Sequence, residues 1–500
     1  MAAAAALAVS VIASGVTSAD NDGPARISHR PRPAPPGTPI VTIGSEMPGR
    51  PVPPGFVGLS LEFPAIQAYG ERDPHVFEQL VRNLAPGQPP VLKIGGDSTD
   101  WAWWPVRGMA RPAGIRYSLG PRWITVTRQV ASALRARLIL GIDLEANSRV
   151  VAAAEANAFL AGIGRRRVAA LELGNEPELY PSWGWYRAAD GREIPGRPPG
   201  YDFTAYTRNF AHVAATLPRV PLAGPAIGAP GWMRHVGQFI AAERRLSLVT
   251  LHRYPLQRCF MPAASPLYPT IPNLLAPVAT RGLANGIVRY VELAHARGLQ
   301  LRVDELNSVS CGGAPGVSNT FAAALWALDA AFRLARVGVD GVNIHMFPGA
   351  VYQLFGFRRS GGAWGAFVRP EYYGLMMFTQ AAPPGSRLLA SVGVREAHVK
   401  VWATQASDGT KRTVLINDDG ARARLVAVRA PARAPVAALE LLTAPSIGAR
   451  GGVTLGGQTF GSPTTTGLLA GPRRIERIPR SGDTFVVRLP PASAALLTLR

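Results

Sequence analysis

The chain has 500 residues, 47% of them hydrophobic and 17% charged, which is enough apolar content for a sizeable core and too little charge for a disordered chain. That length implies two to four domains, or one large barrel with a smaller partner. The net charge is +21, yet only three of the 53 basic residues are lysines, and the arginines are scattered without a basic arm or a nucleic-acid-binding signature. Compositional bias, or attraction to an anionic substrate such as a uronic-acid polymer, accounts for this charge better than nucleic acid does.

Residues 1–19 (MAAAAALAVSVIASGVTSA) are small and apolar and end in a small-residue triplet. They read as a secretory signal peptide, atypical in having no Lys or Arg before the apolar stretch. A secreted or cell-surface protein is therefore expected, with no membrane span in the mature chain, because no later apolar run reaches the roughly 20 residues a spanning helix needs. Residues 20–38 are Pro-rich and polar and read as a linker. From 39 to 370, short apolar runs alternate with helix-like stretches. The strand candidates are 56–63, 91–96, 138–144, 168–176, 221–226, 246–254, 299–306 and 339–347; helical patterns such as 123–137, 149–163 and 320–337 lie between them. Eight β-then-α units predict a (β/α)8 TIM barrel. A doubly wound sheet is the alternative, weakened because no Gly-rich phosphate loop follows the first strand. Residues 371–500 break into short alternating strands separated by turns and predict a C-terminal β-sandwich, with a strand near 39–52 as a candidate to join it.

In such a barrel the reactive groups stand at the C-terminal ends of the strands. The fourth strand ends in Asn175-Glu176-Pro177 and the seventh in Asp304-Glu305-Leu306-Asn307. Glu176 and Glu305 thus face one mouth, the arrangement glycoside hydrolysis needs: one carboxyl protonated, one ionised. Either glutamate alone is unremarkable; the joint placement carries the inference. By strand alternation Asp304 is expected to point away from the face Glu305 uses. Lys93, in step with Gly95 and Asp97 on the second strand, can keep the seventh-strand carboxylate ionised if it points inward. His252 and Tyr254 end strand six and His345 ends strand eight; packing at the barrel mouth is their plainer role, while His252 and His345 are candidates to support the site and Tyr254 to contact substrate or instead hydrogen-bond the seventh-strand carboxylate. Cys259 and Cys311 follow strands six and seven and can meet as a disulfide on the rim. Without Cys-x-x-Cys or Cys/His spacing, neither a metal site nor a cofactor is expected. The tryptophans at 101, 103, 104, 183 and 185 fall in loops, where they either pack or line a sugar-binding groove.

Several of these stretches resemble glycoside hydrolase family 79, which contains β-glucuronidases and heparanases. They are 303–313 (VDELNSVSCGG) with 319–326 (NTFAAALW), 171–178 (LELGNEPE), 95–101 (GGDSTDW), 58–63 (GLSLEF) and 369–378 (RPEYYGLMMF). The resemblance covers roughly residues 55–500 and implies the family's C-terminal β-domain and a retaining mechanism. Glu305 would be the nucleophile and Glu176 the general acid/base. Asn175 would bind the sugar 2-hydroxyl, and Glu62 and Asp97 would contact sugar hydroxyls. Tyr352, with backbone amides near 349–351, would hold a uronate carboxylate. Ser310 stands where heparanase-like members carry a tyrosine. The expected substrate is a glucuronic-acid-containing glycan or glucuronide conjugate. The competing readings are an endo-acting enzyme on acidic polysaccharide and a non-catalytic carbohydrate-binding barrel.

Overall fold

The computed structural model describes residues 26–28, 33–393, 397–431 and 434–500. The expected signal peptide at 1–19 lies outside the described residues, as does most of the 20–38 segment. Arg26–Ser28, within that segment, pairs its backbone in parallel with Ile475–Pro479.

Eight parallel strands close into a barrel. They are β1 (Val57–Glu62), β2 (Val91–Gly95), β3 (Arg137–Ile142), β4 (Val168–Leu173), β5 (Leu222–Ile227), β6 (Leu246–Arg253), β7 (Gln300–Leu306) and β8 (Gly341–Met346), with β8 pairing back onto β1. Because helices cover the outside and side chains fill the inside, these strands are buried on both faces and read as nearly continuous apolar runs. The (β/α)8 expectation is borne out. The register of β6 against β7 is irregular: Leu251 pairs with Val303, but His252 pairs with Glu305, so Asp304 is the extra residue of a bulge.

The boundary expected at 370/371 does not separate barrel from sandwich. Pro370–Ala381 is a helix lying against Phe321–Arg336, the helix between β7 and β8. The approach is close enough that a Cβ on Gly374 would stand 2.1 Å from the Ala324 carbonyl oxygen, so only glycine fits. The alternating pattern that marked the sandwich begins only after this helix; its all-round apolar face is what packing on two sides requires.

Beyond the helix come two sheets. One runs through Val436–Thr443, Ser493–Leu499, Lys411–Asn417 and Val399–Gln405. The other contains Arg424–Arg429, Thr484–Leu489, Ser391–Val392 and Ile40–Ile43, the last pairing in parallel with Arg424–Arg429. The N-terminal strand therefore sits in the sandwich. The larger sheet is buried on both faces. Leu415, Ala495 and Leu497 point into the core between the sheets, while Val414, Ile416, Ala494 and Leu496 pack into the barrel's core. Trp402 completes that seam, stacking on Phe332 with ring centroids 5.4 Å apart and donating from Nε1 to Asp329 Oδ1 at 2.8 Å. No helix among the described residues is long and apolar enough to cross a membrane.

Candidate active site

Lys93 is fully buried inside the barrel, and its ammonium has five polar neighbours. It donates to Asn175 Oδ1 at 3.3 Å, to His252 Nε2 at 3.2 Å and to Glu305 Oε2 at 3.3 Å. Glu172 Oε2 lies 3.4 Å away and Asp304 Oδ2 3.8 Å away. Burial works against the charged ammonium, but Glu172, Asp304, Glu305 and Glu62 outweigh it and hold the Lys93 pKa above its ordinary value.

The β7 bulge corrects the expectation for Asp304. It points into the barrel with no exposed surface, below Glu305 rather than away from it, because the extra residue turns two consecutive side chains inward. Burial and the adjacent Glu172 push the Asp304 carboxyl well above the usual carboxylate range, so it keeps its proton beside Glu172. Sequence reasoning did not single out Glu172; the available signal was a glutamate next to the last residue of an otherwise apolar β4.

Glu305 is ringed by donors. Tyr254 Oη donates to Oε1 at 2.7 Å, and His345 Nδ1 lies 3.6 Å from Oε2. Burial raises its pKa, but His345, Lys93 and the Tyr254 hydroxyl together drive it well below the usual carboxylate range. Of the roles open to Tyr254, its hydroxyl thus takes the hydrogen bond to the nucleophile candidate rather than a sugar contact. Its ring stacks on that of Tyr352, with centroids 6.2 Å apart.

Glu176 has the opposite environment. Its side chain stands at the mouth, 22% exposed, and accepts from His252 Nδ1 at 3.0 Å. Desolvation and the nearby Glu305 charge push its pKa up to about 8. His252 is held neutral, lowered to about 4 by burial and by Lys93. Since Lys93 can only donate, His252 Nε2 must accept, which leaves the proton on Nδ1 facing Glu176. The Glu176 backbone lies in the left-handed region, with φ 45°, and its N–H bonds Ala226 O at 2.9 Å, so strain is held at this residue by the β5 end. Glu178 tightens the same corner by accepting from the N–H groups of Gly228 at 2.6 Å and Ala229 at 2.8 Å. Oxygens of Glu176 and Glu305 and a ring nitrogen of His252 all lie within 4.8 Å of one another. With the Lys93 ammonium on one side, that cluster has the charge balance of a carboxyl pair rather than of a cation site.

The flanking residues are placed as follows. Glu62 is almost fully buried and accepts from the Asp97 N–H at 3.2 Å and the Ser98 N–H at 2.7 Å, with His345 Nε2 3.4 Å away. Its carboxylate is therefore engaged before any sugar arrives. Asp97 opens to the cleft and accepts from Asn175 Nδ2 at 3.4 Å; desolvation there, with Glu62, Glu305 and Glu176 around it, pushes it up to about 8. Asn175 is fixed by its N–H bonding Asp100 Oδ2 at 2.8 Å. The amides near 349–351, expected to complete an anion pocket, donate internally instead: Gly349 to Gln353 Oε1 at 3.4 Å, Ala350 to Phe347 O at 3.1 Å and Val351 to Gly312 O at 2.7 Å. Ser310 Oγ accepts from the Arg258 N–H at 3.1 Å. Cys259 and Cys311 are disulfide-bonded, with Cα atoms 6.4 Å apart, tying the β6 loop to the β7 loop.

No family model matches the chain. It is 25% identical over 436 residues to a curated β-glucuronidase of Neurospora crassa, covering 75% of this chain and 74% of that protein. Among solved structures it resembles a 4-O-α-L-rhamnosyl-β-D-glucuronidase from Fusarium oxysporum, with TM-score 0.69 and 19% identity over 92% of this chain and 100% of the other. It also resembles an arabinofuranosidase from Xanthomonas axonopodis, with TM-score 0.62 and 16% identity over 92% of this chain and 100% of that one.

Proposed function

We propose that this chain, a glycoside hydrolase of the β-glucuronidase kind, removes β-linked glucuronic acid by a retaining, double-displacement mechanism with Glu305 as nucleophile and Glu176 as general acid/base. One observation carries the reading. Two carboxyl groups lie within 4.8 Å, near the roughly 5–5.5 Å of retaining enzymes and short of the gap inverting enzymes leave for water. Their surroundings also push their pKa values in opposite directions, Glu305 down and Glu176 up.

The roles follow from those environments. Ionised Glu305, steadied by Tyr254 and Lys93, attacks the anomeric carbon. Protonated Glu176 gives its proton to the leaving oxygen as that bond breaks. The ester to Glu305 is then opened by water, from which Glu176 takes a proton, restoring both groups. Asn175, held by Lys93, faces the cleft where a sugar 2-hydroxyl would stand. Tyr352 is the remaining candidate for the uronate carboxylate, since the neighbouring amides are already bonded. The mechanism calls for no cofactor.

The test is hydrolysis of an aryl β-D-glucuronide and the matching β-D-glucoside by wild type and Glu305→Gln, with the anomer first released followed by NMR. Turnover of the glucuronide alone, with the β-anomer first and a loss of at least about 10³-fold in the variant, is expected. Preference for the glucoside would overturn the substrate, and release of the α-anomer would overturn the mechanism. The net charge of +21 favours one second reading, endo-cleavage of an acidic polysaccharide; loss of polymer viscosity ahead of free glucuronic acid would establish it.

A further inference from the structure

Of the loop tryptophans singled out by the sequence, most are absorbed by packing. Trp103 is buried and bonds Ser118 Oγ, and Trp185 donates to Asp100 O at 2.6 Å. Trp183 is different: it is 50% exposed and touches Phe260, itself 49% exposed, with ring centroids 5.7 Å apart and planes at 63°. Among the described residues these are the only aromatic side chains so exposed, and they lie against each other.

Their attachment places them at the active-site mouth. Trp183 is seven residues beyond Glu176, joined by consecutive turns in which Leu179 N–H bonds Glu176 O and Trp183 N–H bonds Leu179 O, each at 2.8 Å. Phe260 follows Tyr254 by six residues and adjoins Cys259, whose disulfide partner Cys311 is six residues beyond Glu305. The pair is thus fastened to the acid/base, to the donor on the nucleophile and to the nucleophile's own loop. An edge-to-face contact leaves part of each ring face open. Exposing two large aromatic side chains at one spot costs apolar burial, which a ring-shaped ligand would recover.

We propose that Trp183 and Phe260 form a leaving-group subsite that grips a ring with an apolar face, either a pyranose or an aryl aglycone. It rests on the proposed glucuronidase reading, because Glu176 delivers its proton to the leaving oxygen and the loop that follows Glu176 therefore borders the leaving group. The disulfide ties the loop that carries Phe260 to the loop that follows Glu305.

The test uses Trp183→Ala and Phe260→Ala, both surface changes, with three substrates: β-D-glucuronyl fluoride, 4-nitrophenyl β-D-glucuronide and a β-D-glucuronyl disaccharide. Fluoride presents no ring to the subsite. The expected result is kcat/KM within about twofold of wild type for the fluoride and a loss of about tenfold, equivalent to about 1.4 kcal/mol of binding, for at least one ring-bearing substrate. Loss with the aryl glucuronide alone identifies an aryl subsite; loss with the disaccharide alone identifies a sugar subsite. Equal losses on all three substrates, or no loss on any, overturn the proposal. A wild type inert toward the fluoride overturns the glucuronidase reading itself, which is a distinct result because the fluoride needs no contact with the aromatic pair.

Discussion

Lys93 determines the protonation of three other groups. It lowers the pKa of Glu305, holds His252 neutral and limits the rise at Glu176. The pH profile follows with a definite sign. Glycosylation needs Glu176 protonated and Glu305 ionised, so kcat/KM falls as pH rises through about 8 and holds on the acid side until Glu305 takes up a proton. In Lys93→Met both carboxyls lose a stabilising cation, and both limbs of the profile move to higher pH. The variant also leaves the buried Glu172 facing no cation, at a cost of about 3–5 kcal/mol. The profile is therefore measured well below its melting temperature. A profile of unchanged shape would remove Lys93 from the electrostatics and leave it a packing role only. The two limbs belong to the coupled pair rather than to either residue alone.

At the scale of elements, the site depends on irregular backbone at strand ends. The β7 bulge puts Asp304 and Glu305 on one side. Gly96, just past β2, sits at φ 67°, where a Cβ would lie 2.3 Å from Glu62 Oε1 and 2.9 Å from His345 Cε1. Glu62, His345 and the amides of Asp97 and Ser98 close around that bare position. Gly96→Ala is expected to lower stability by about 1–3 kcal/mol, read as a lower Tm, and to depress kcat more than the stability loss explains, because Glu62 and His345 must both shift. Normal activity in a folded Gly96→Ala variant would mean that the Glu62–His345 arrangement does not matter to the chemistry.

The whole molecule is a barrel to which a sandwich is joined through a shared core. Trp402 stacks on Phe332, and Asp329, buried on the same helix, is paired with Lys400 at 3.3 Å and Arg333 at 3.0 Å. Trp402→Ala removes that stack and is expected to cost about 3–5 kcal/mol, lowering one calorimetric transition as a unit. Splitting into two transitions would show instead that the sandwich melts on its own.

The sequence by itself determined the eight strand positions, the two-sheet region and the pair Glu176 and Glu305. Strand periodicity and strand-end placement are local, and burial on both faces writes itself into continuous apolar runs such as 138–142. Only the tertiary structure decided the rest. A bulge depends on the register of two strands, so alternation pointed Asp304 the wrong way. Hydrogen-bond partners come from distant segments, which is why the engagement of Glu62 by residues 97 and 98, and of the amides near 349–351, could not be read from the chain. The helix Pro370–Ala381 packs on two sides, and its lack of an amphipathic stripe hid the end of the barrel. Glu172 is legible only once Lys93 is placed beside it, because a buried carboxylate is explained by its counter-charge and not by its own neighbours in sequence.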